Sequence, residues 1–320
     1  MSESQQTITI GSRGSALALW QANHVKALLE EAIPDLSCTI EIIHTKGDKI
    51  QDVALSKFGD KGLFTKELER ALLDKRVDLC VHSMKDMPTE LPEGLAILGV
   101  PQRASVNDAL VYATKGSTIA DLPQGARVAT GSLRRVAQLK RLRPDFEVCE
   151  MRGNVDSRVK RVESGEFDAA ILACAGLTRL GLESHMASVI PTTTMLPATG
   201  QGALAIEART DDPLARKLCS VITDPAAMRE VTAERIVLRE LEGGCQVPMG
   251  IYAHEEAAGD AEPRFSLDAF VSSLDGSTYI HTYQEGEPED FRAIGHAAAQ
   301  DLIDQGARAI LNQIREENGF

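Results

Sequence analysis

Along the first half of the chain, the pattern of apolar and polar residues switches repeatedly between two periods. TITIGS (7–12) is a short β-type run, and ALALWQANHVKALLEEA (16–32) then carries apolar residues at helical spacing up to Pro34. CTIEIIH (38–44) predicts a strand, KGLFTKELERALLDKR (61–76) a helix and VDLCVHSM (77–84) a strand. After the polar loop around PQRASVND (101–108) the pattern restarts. DALVYA, ARVAT, FEVCEM and FDAAILACA predict strands, with SLRRVAQLKRL and NVDSRVKRVESG as helices between them. Such alternation predicts parallel or mixed sheets covered by helices.

The pattern also repeats. ITIGSRGSALALWQ and ARVATGSLRRVAQL each run strand, small polar turn with Gly and Ser, then helix, with Arg13 in one and Arg134 and Arg135 in the other near the helix start. Free N–H groups at a helix N-terminus attract anions, and an adjacent arginine strengthens the attraction. Two such elements in matching positions predict two similar α/β domains and an acidic ligand. ALAIEART (203–210) predicts a strand, and DDPLARKLCSVI a helix that returns to the first domain. A long helix, PAAMREVTAERIVLRELE, then runs into Gly243-Gly244. RFSLDAFVSS and STYIHTYQ flank Leu274-Asp275-Gly276 as a hairpin, and DFRAIGHAAAQDLIDQGARAILNQI reads as one closing helix. The last third is thus a smaller α+β domain.

Composition narrows the function classes. Lys and Arg number 34 against 47 Asp and Glu, a net charge of −13, which argues against general affinity for nucleic acid or anionic membrane. The aromatic fraction is 4%, and no base-stacking motif is visible. The start, MSESQQTITIGSRG, shows no basic segment followed by an apolar run, and no stretch approaches the roughly 20 apolar residues of a membrane span. These features predict a cytoplasmic protein. The basic residues nevertheless cluster between Arg127 and Arg161, which points to a local anion site; a solvated helix face is the plain alternative.

The six cysteines include no CxxC pair or zinc-type spacing, and the seven histidines show no paired metal spacing, so no metal site is assigned. Cys38, Cys80, Cys149, Cys174 and Cys219 lie in apolar or amphipathic runs and read as buried small hydrophobes. Cys245, in LEGGCQVPMG, is different: glycines and a proline around it predict a loop. VHSMKDMP (81–88) ends an apolar strand with Ser83, Lys85 and Asp86, and the carboxyl end of a strand in an open α/β sheet is the usual ligand crevice. There Asp86 is suited to stabilise a developing cation or move protons, and Lys85 to contact a carboxylate. ATGSLRR supplies Thr130, Ser132, Arg134 and Arg135; MRGNVDSR supplies Arg152, Gly153 and Arg158. The planar fork of arginine suits carboxylates, and several forks imply a ligand with many of them. Lys57 and Lys61, in the glycine-bearing stretch SKFGDKGLFTKELE, read as a flap over the site or as an ordinary solvated loop.

Read together, SRGSALALWQ, KGLFTKELE, VHSMKDMP, GSLRR, RGNVDSR, AGLTRLGL, LPATGQGALAIE and LEGGCQVP resemble, in order, the porphobilinogen deaminase (hydroxymethylbilane synthase) family over nearly the whole chain. The resemblance implies an α/β fold: two type II periplasmic-binding-protein-like domains with mixed sheets around a cleft, plus a smaller α+β C-terminal domain. It implies domain 1 at 1–103 and 203–222, domain 2 at 104–202 and domain 3 at 223–320. It implies a transferase of tetrapyrrole (haem) biosynthesis, monomeric, taking the small molecule porphobilinogen and no nucleic acid or membrane. Four porphobilinogens are deaminated and joined head to tail on a dipyrromethane cofactor held as a thioether by Cys245, and linear 1-hydroxymethylbilane is released. Asp86 is then the catalytic carboxylate. Cofactor contacts fall on Ser83, Lys85, Thr130, Ser132, Arg134, Arg135 and Gly153, and substrate contacts on Arg13, Ser15, Lys57, Phe64, Arg152, Arg158 and Arg179. Three positions depart from common family choices: Lys46 where arginine is frequent, Asp60 where glycine is, and Gly131 where serine is.

Two readings compete. A non-catalytic two-lobed binding protein for a polycarboxylate uses the arginines but leaves Cys245 and the third domain without a role. A thiol redox protein lacks a resolving cysteine for Cys245.

Overall fold

A computed structural model of the chain describes residues 6–49, 65–112, 114–242, 247–256 and 263–318. Lys57, Asp60, Phe64 and Cys245 lie outside the described residues. The chain forms two compact units, one from residues of 6–104 and 203–228, the other from residues of 105–202 and 229–318.

The first unit contains β1 (Gln6–Ser12), α1 (Ala16–Ala32), β2 (Leu36–Ile42), α2 (Lys46–Lys49), α3 (Lys66–Leu73), β3 (Leu79–Ser83) and β4 (Leu95–Gly99). The second opens with β5 (Asp108–Val111), β6 (Arg127–Ala129), α4 (Leu133–Leu142), β7 (Glu147–Cys149), α5 (Val155–Glu163), β8 (Ala169–Ala173), α6 (Cys174–Arg179) and β9 (Met186–Ile190). The chain then returns to the first unit as β10 (Leu204–Arg209) and α7 (Pro213–Ile222), and α8 (Pro225–Glu240) follows. It ends with β11 (Met249–Glu256), β12 (Arg264–Ser272), β13 (Tyr279–Gly286), α9 (Phe291–Asp304) and α10 (Ala307–Asn318).

The two larger sheets share one plan. The first has order β2-β1-β3-β10-β4, the second β7-β6-β8-β5-β9. In each, three parallel strands stand beside an antiparallel fourth: β10 runs against β3 and β4, and β5 against β8 and β9. This is the mixed α/β fold expected, with the predicted repeat realised as two sheets of identical order. The third sheet, β11-β12-β13, is antiparallel and carries helices, giving the small α+β part.

Local chemistry explains the boundaries. Ser15 caps α1 by accepting from the Ala18 N–H at 3.3 Å, and the helix stops before Pro34, whose ring disfavours helical backbone at the preceding residue. Asp212 caps α7 in the same way, with Pro213 at the first helical position, where its missing N–H costs nothing. Strands β4, β9 and β11 were not among the expected elements. The closing helix, expected as one, breaks into α9 and α10 at Gly306, whose φ of +101° ends a helix at little strain in glycine alone.

Each sheet has its own core. Ile8, Ile10, Val25, Leu29, Leu204 and Ile206 bury the first; Val128, Leu139, Phe146 and Ile171 lie on one face of the second, and Met151, Val159, Leu172 and Leu177 on the other. The third is closed by Val237, Ile251, Phe265, Leu267, Leu302 and Leu311. Fully burying such a side chain contributes about 1.5–3 kcal/mol. Of the five cysteines expected to be buried, Cys38, Cys80, Cys174 and Cys219 are; Cys149 is only partly covered, because β7 is an edge strand.

Candidate active site

In the first unit the polar residues gather at the carboxyl ends of parallel neighbours. β1 and β3 pair in parallel, Ile10 against Leu79 and Gly11 against Cys80, so the residues following Ser12 and Ser83 emerge at the same sheet edge. Arg13 and Ser15 occupy the first turn and are half-buried. Ser15 already spends its oxygen on capping α1. After β3 the chain tightens into a 3₁₀ turn, Met84–Asp86, fastened by the Met84 N–H to the Ala203 carbonyl at 3.0 Å. Buried Met84 pins that turn, leaving Lys85 half-buried and Asp86 exposed. Gln21, itself buried, donates from Nε2 to Ser83 Oγ at 2.8 Å and orients the hydroxyl.

Behind this edge His82 and Glu207 form a buried pair, Nε2 to Oε2 3.0 Å. Glu69 is buried nearby; burial, and then the charge of Glu207, raise its carboxyl above the usual glutamate range. Lys46 opens α2 with an exposed side chain, and its backbone N–H reaches Glu67 Oε1 at 3.2 Å.

The second unit repeats the arrangement. β6, β7 and β8 are parallel, so the turns after Ala129, Cys149 and Ala173 share one edge. Thr130 Oγ1 accepts from the Ser132 N–H at 3.3 Å, while Ser132, the N-cap of α4, makes no side-chain capping bond. Gly131 must be small: a Cβ on it would come 2.8 Å from the Met151 carbonyl oxygen.

The arginines differ sharply. Arg134 and Arg135 are 3% and 6% exposed and converge on Asp108, which is wholly buried at the start of β5. Arg134 Nη1 lies 2.8 Å from Oδ2, and Arg135 Nη2 donates to Oδ1 at 2.6 Å. Gln201 Nε2 adds a bond to Oδ1 at 2.9 Å. Burial alone would raise the Asp108 carboxyl, but the two guanidinium groups outweigh it and hold the group far below the usual range. Arg134 also donates to the Leu196 carbonyl at 2.6 Å, and Arg135 to that of Ile171 at 2.9 Å. The Nε–H of each is buried with no hydrogen-bond partner among the described residues. Two buried guanidiniums thus share one carboxylate, and that triad keeps a surplus positive charge.

Arg179, at the end of α6, is 9% exposed and donates to the Gly202 carbonyl at 2.6 Å; burial pulls it down to about 10. It remains charged at neutral pH. Arg152 is partly exposed and paired with Glu150 at 2.8 Å. Arg158 turns back from α5, its Nε donating to the Gly153 carbonyl at 2.8 Å. Gly153 holds the loop with φ +110°. Sequence reasoning overlooked Asp108, Gln21 and Gln201, which orient the expected residues. Their only signal was position: Gln21 and Gln201 stand in motifs already singled out, and Asp108 opens a strand with a charge that no surface strand would bury.

The chain is similar to known proteins over nearly its whole length. The family model "Porphobilinogen deaminase, dipyromethane cofactor binding domain" matches residues 8–217, and "Porphobilinogen deaminase, C-terminal domain" matches residues 228–304. A porphobilinogen deaminase of Syntrophobacter fumaroxidans is 47% identical over 309 residues, covering 97% of this chain and 98% of the relative. One from Desulforamulus reducens is 48% identical over 308 residues, covering 96% and 98%. Among solved structures, an extracytoplasmic solute receptor of Bordetella pertussis that binds pyroglutamic acid covers 98% of this chain and 100% of its own at 10% identity, with a TM-score of 0.42.

Proposed function

Because the chain belongs to the porphobilinogen deaminase family, we propose that Asp86 is its catalytic carboxylate and that the arginines of the second unit hold the carboxylates of cofactor and substrate. The enzyme deaminates four porphobilinogen molecules and joins them head to tail, releasing ammonia and linear 1-hydroxymethylbilane. The dipyrromethane cofactor supplies, when bound, the pyrrole end to which the first ring is added. We assign its thioether attachment to Cys245, and read the enzyme as a cytoplasmic monomer that binds no nucleic acid. Among the described residues no helix is long and apolar enough to cross a membrane. We read the domains as 1–103 with 203–222, 104–202, and 223–320.

The residues fit such a group. Each pyrrole unit of the ligand carries an acetate and a propionate, so a growing chain brings a row of carboxylates. Arg134 and Arg135 offer buried Nε–H donors that have no partner among the described residues, and a surplus positive charge, the chemistry a carboxylate completes. Ser132, Thr130 and the N-terminus of α4 add donors beside them. In the first unit Ser83 is oriented by Gln21, and Lys85 supplies a point charge. Asp86 sits on the turn past them, where a fixed negative charge favours the cation that develops as ammonia leaves and can accept a pyrrole N–H. Removing such a preorganised group costs about 2.7–4 kcal/mol, roughly a hundred- to thousandfold in rate.

The observation that carries this reading is the gathering of Arg13, Ser83, Lys85 and Asp86 at one carboxyl edge of the first sheet. Its test is intact mass with turnover. The purified enzyme is expected to carry the added mass of two linked pyrroles, lost in Cys245→Ser. Asp86→Asn is expected to keep that mass, or a stalled longer chain, while turnover collapses. Near-normal turnover of Asp86→Asn removes Asp86 from catalysis, and an active enzyme without added mass removes the attachment.

A further inference from the structure

Between β9 and β10 the chain leaves one sheet and re-enters the other, and the connecting stretch Leu196–Gly202 is bound along its length. At its two ends the carbonyls of Leu196 and Gly202 receive Arg134 Nη1 and Arg179 Nη2, each at 2.6 Å. Near its middle the Gly200 N–H donates to Glu234 Oε2 at 2.5 Å. Glu234 lies on α8 with no exposed surface, and its other oxygen accepts the Ala253 N–H of β11 at 3.0 Å. One buried carboxylate therefore ties the connecting stretch to the third sheet.

We infer that Glu234 is a positioning residue for the carboxylate-binding arginines: it fixes Gly200, and through it the two carbonyls that aim Arg134 and Arg179. The inference rests on the reading of those arginines given above. Burying a carboxylate costs desolvation, and a pair of charge-assisted bonds to amide N–H groups offsets it while imposing direction at both oxygens. Gly200 has φ +69°, a conformation that glycine holds only weakly by itself, so the fastening at its N–H sets the path of the stretch. A guanidinium that donates to a displaced carbonyl turns with it.

The test compares Glu234→Gln with the parent, both purified as holoenzyme. Glutamine retains the size but places an NH₂ donor against one of the two amide N–H groups. The expected result is a KM for porphobilinogen raised about tenfold, the loss of one charge-assisted bond, with kcat little changed and the covalent pyrroles still present by mass. Glu234→Asp, one methylene shorter, is expected to show the same KM effect and serves if the glutamine variant does not fold. Parent-like KM in a folded, loaded variant overturns the inference, whatever happens to its melting temperature. So does a fall in kcat at unchanged KM. Arg179→Gln run alongside separates the two levels: parent-like KM there overturns the reading of the arginines themselves, whereas a raised KM there with parent-like Glu234→Gln overturns only the role of Glu234.

Discussion

Replacing Asp108 by Asn probes the most heavily charged point of the buried site. The wild-type group is wholly buried, 2.6 Å from Arg135 Nη2 and 2.8 Å from Arg134 Nη1. Its carboxyl is held far below the usual range although burial pushes the other way, so the two guanidiniums win and the group is anionic at every ordinary pH. Asparagine keeps the shape and one acceptor but leaves two buried cations without a counter-charge. Breaking a buried ion pair by removing one partner costs about 3–5 kcal/mol, which converts to a fall of roughly 10 °C in Tm. The folded-state pKa is depressed, so this stability is present above the unfolded value and lost only as pH falls through the lower one. The penalty should therefore be flat from about pH 5 to 8. Denaturant melts of both proteins across that range measure it. A penalty under about 1 kcal/mol, or one that appears only toward alkaline pH, would refute the account of Asp108 as the ionised partner of both arginines.

Gly131→Ser should destabilise by about 1–3 kcal/mol, since its Cβ meets the Met151 carbonyl oxygen at 2.8 Å; an unchanged melt contradicts the packing argument. Alkylation of the folded enzyme at neutral pH should label Cys149 first among the described cysteines. Burial pushes the thiols of Cys38 and Cys174 up to about 11 and that of Cys219 up to about 12. Peptide mapping that finds Cys219 labelled as fast would remove the basis of that order. Glu69 is protonated more readily in the folded state, by burial and then by Glu207. Its contribution is full below the ordinary glutamate range and is lost as pH rises through the raised value. The stability of Glu69→Gln relative to the parent should therefore improve from acidic to alkaline pH in paired melts, and a constant difference would contradict the shift.

Much of this molecule could be read from residue order because the relevant physics is local. The helix of ALALWQANHVKALLEEA and its stop before Pro34 follow from periodicity and backbone restriction, as do Ser83, Lys85 and Asp86 at a strand end. What could not be read depends on partners distant in sequence. Nothing near Arg134 announces that Asp108 and the Leu196 carbonyl engage it, because strand β5 and the connecting stretch reach it only through the fold. β11 was not expected although Met249, Ile251 and Ala253 stand at alternate positions of MGIYAHEE and enter the core, because Gly250 and Tyr252 between them give little polar contrast. The break at Gly306 is likewise invisible in the helical period of the closing segment and is decided by that residue's positive φ.

The order of strands also has a consequence for the order of synthesis. In the first sheet β10 lies between β3 and β4, yet it is translated after the whole of the second five-stranded sheet. Until Arg209 has left the ribosome, β3 and β4 have no strand between them and bare backbone edges, a template for pairing with other chains. The N-terminal unit therefore cannot finish folding first, although its residues emerge first. The second sheet, contiguous in sequence from β5 to β9, is the earliest that the nascent chain can complete.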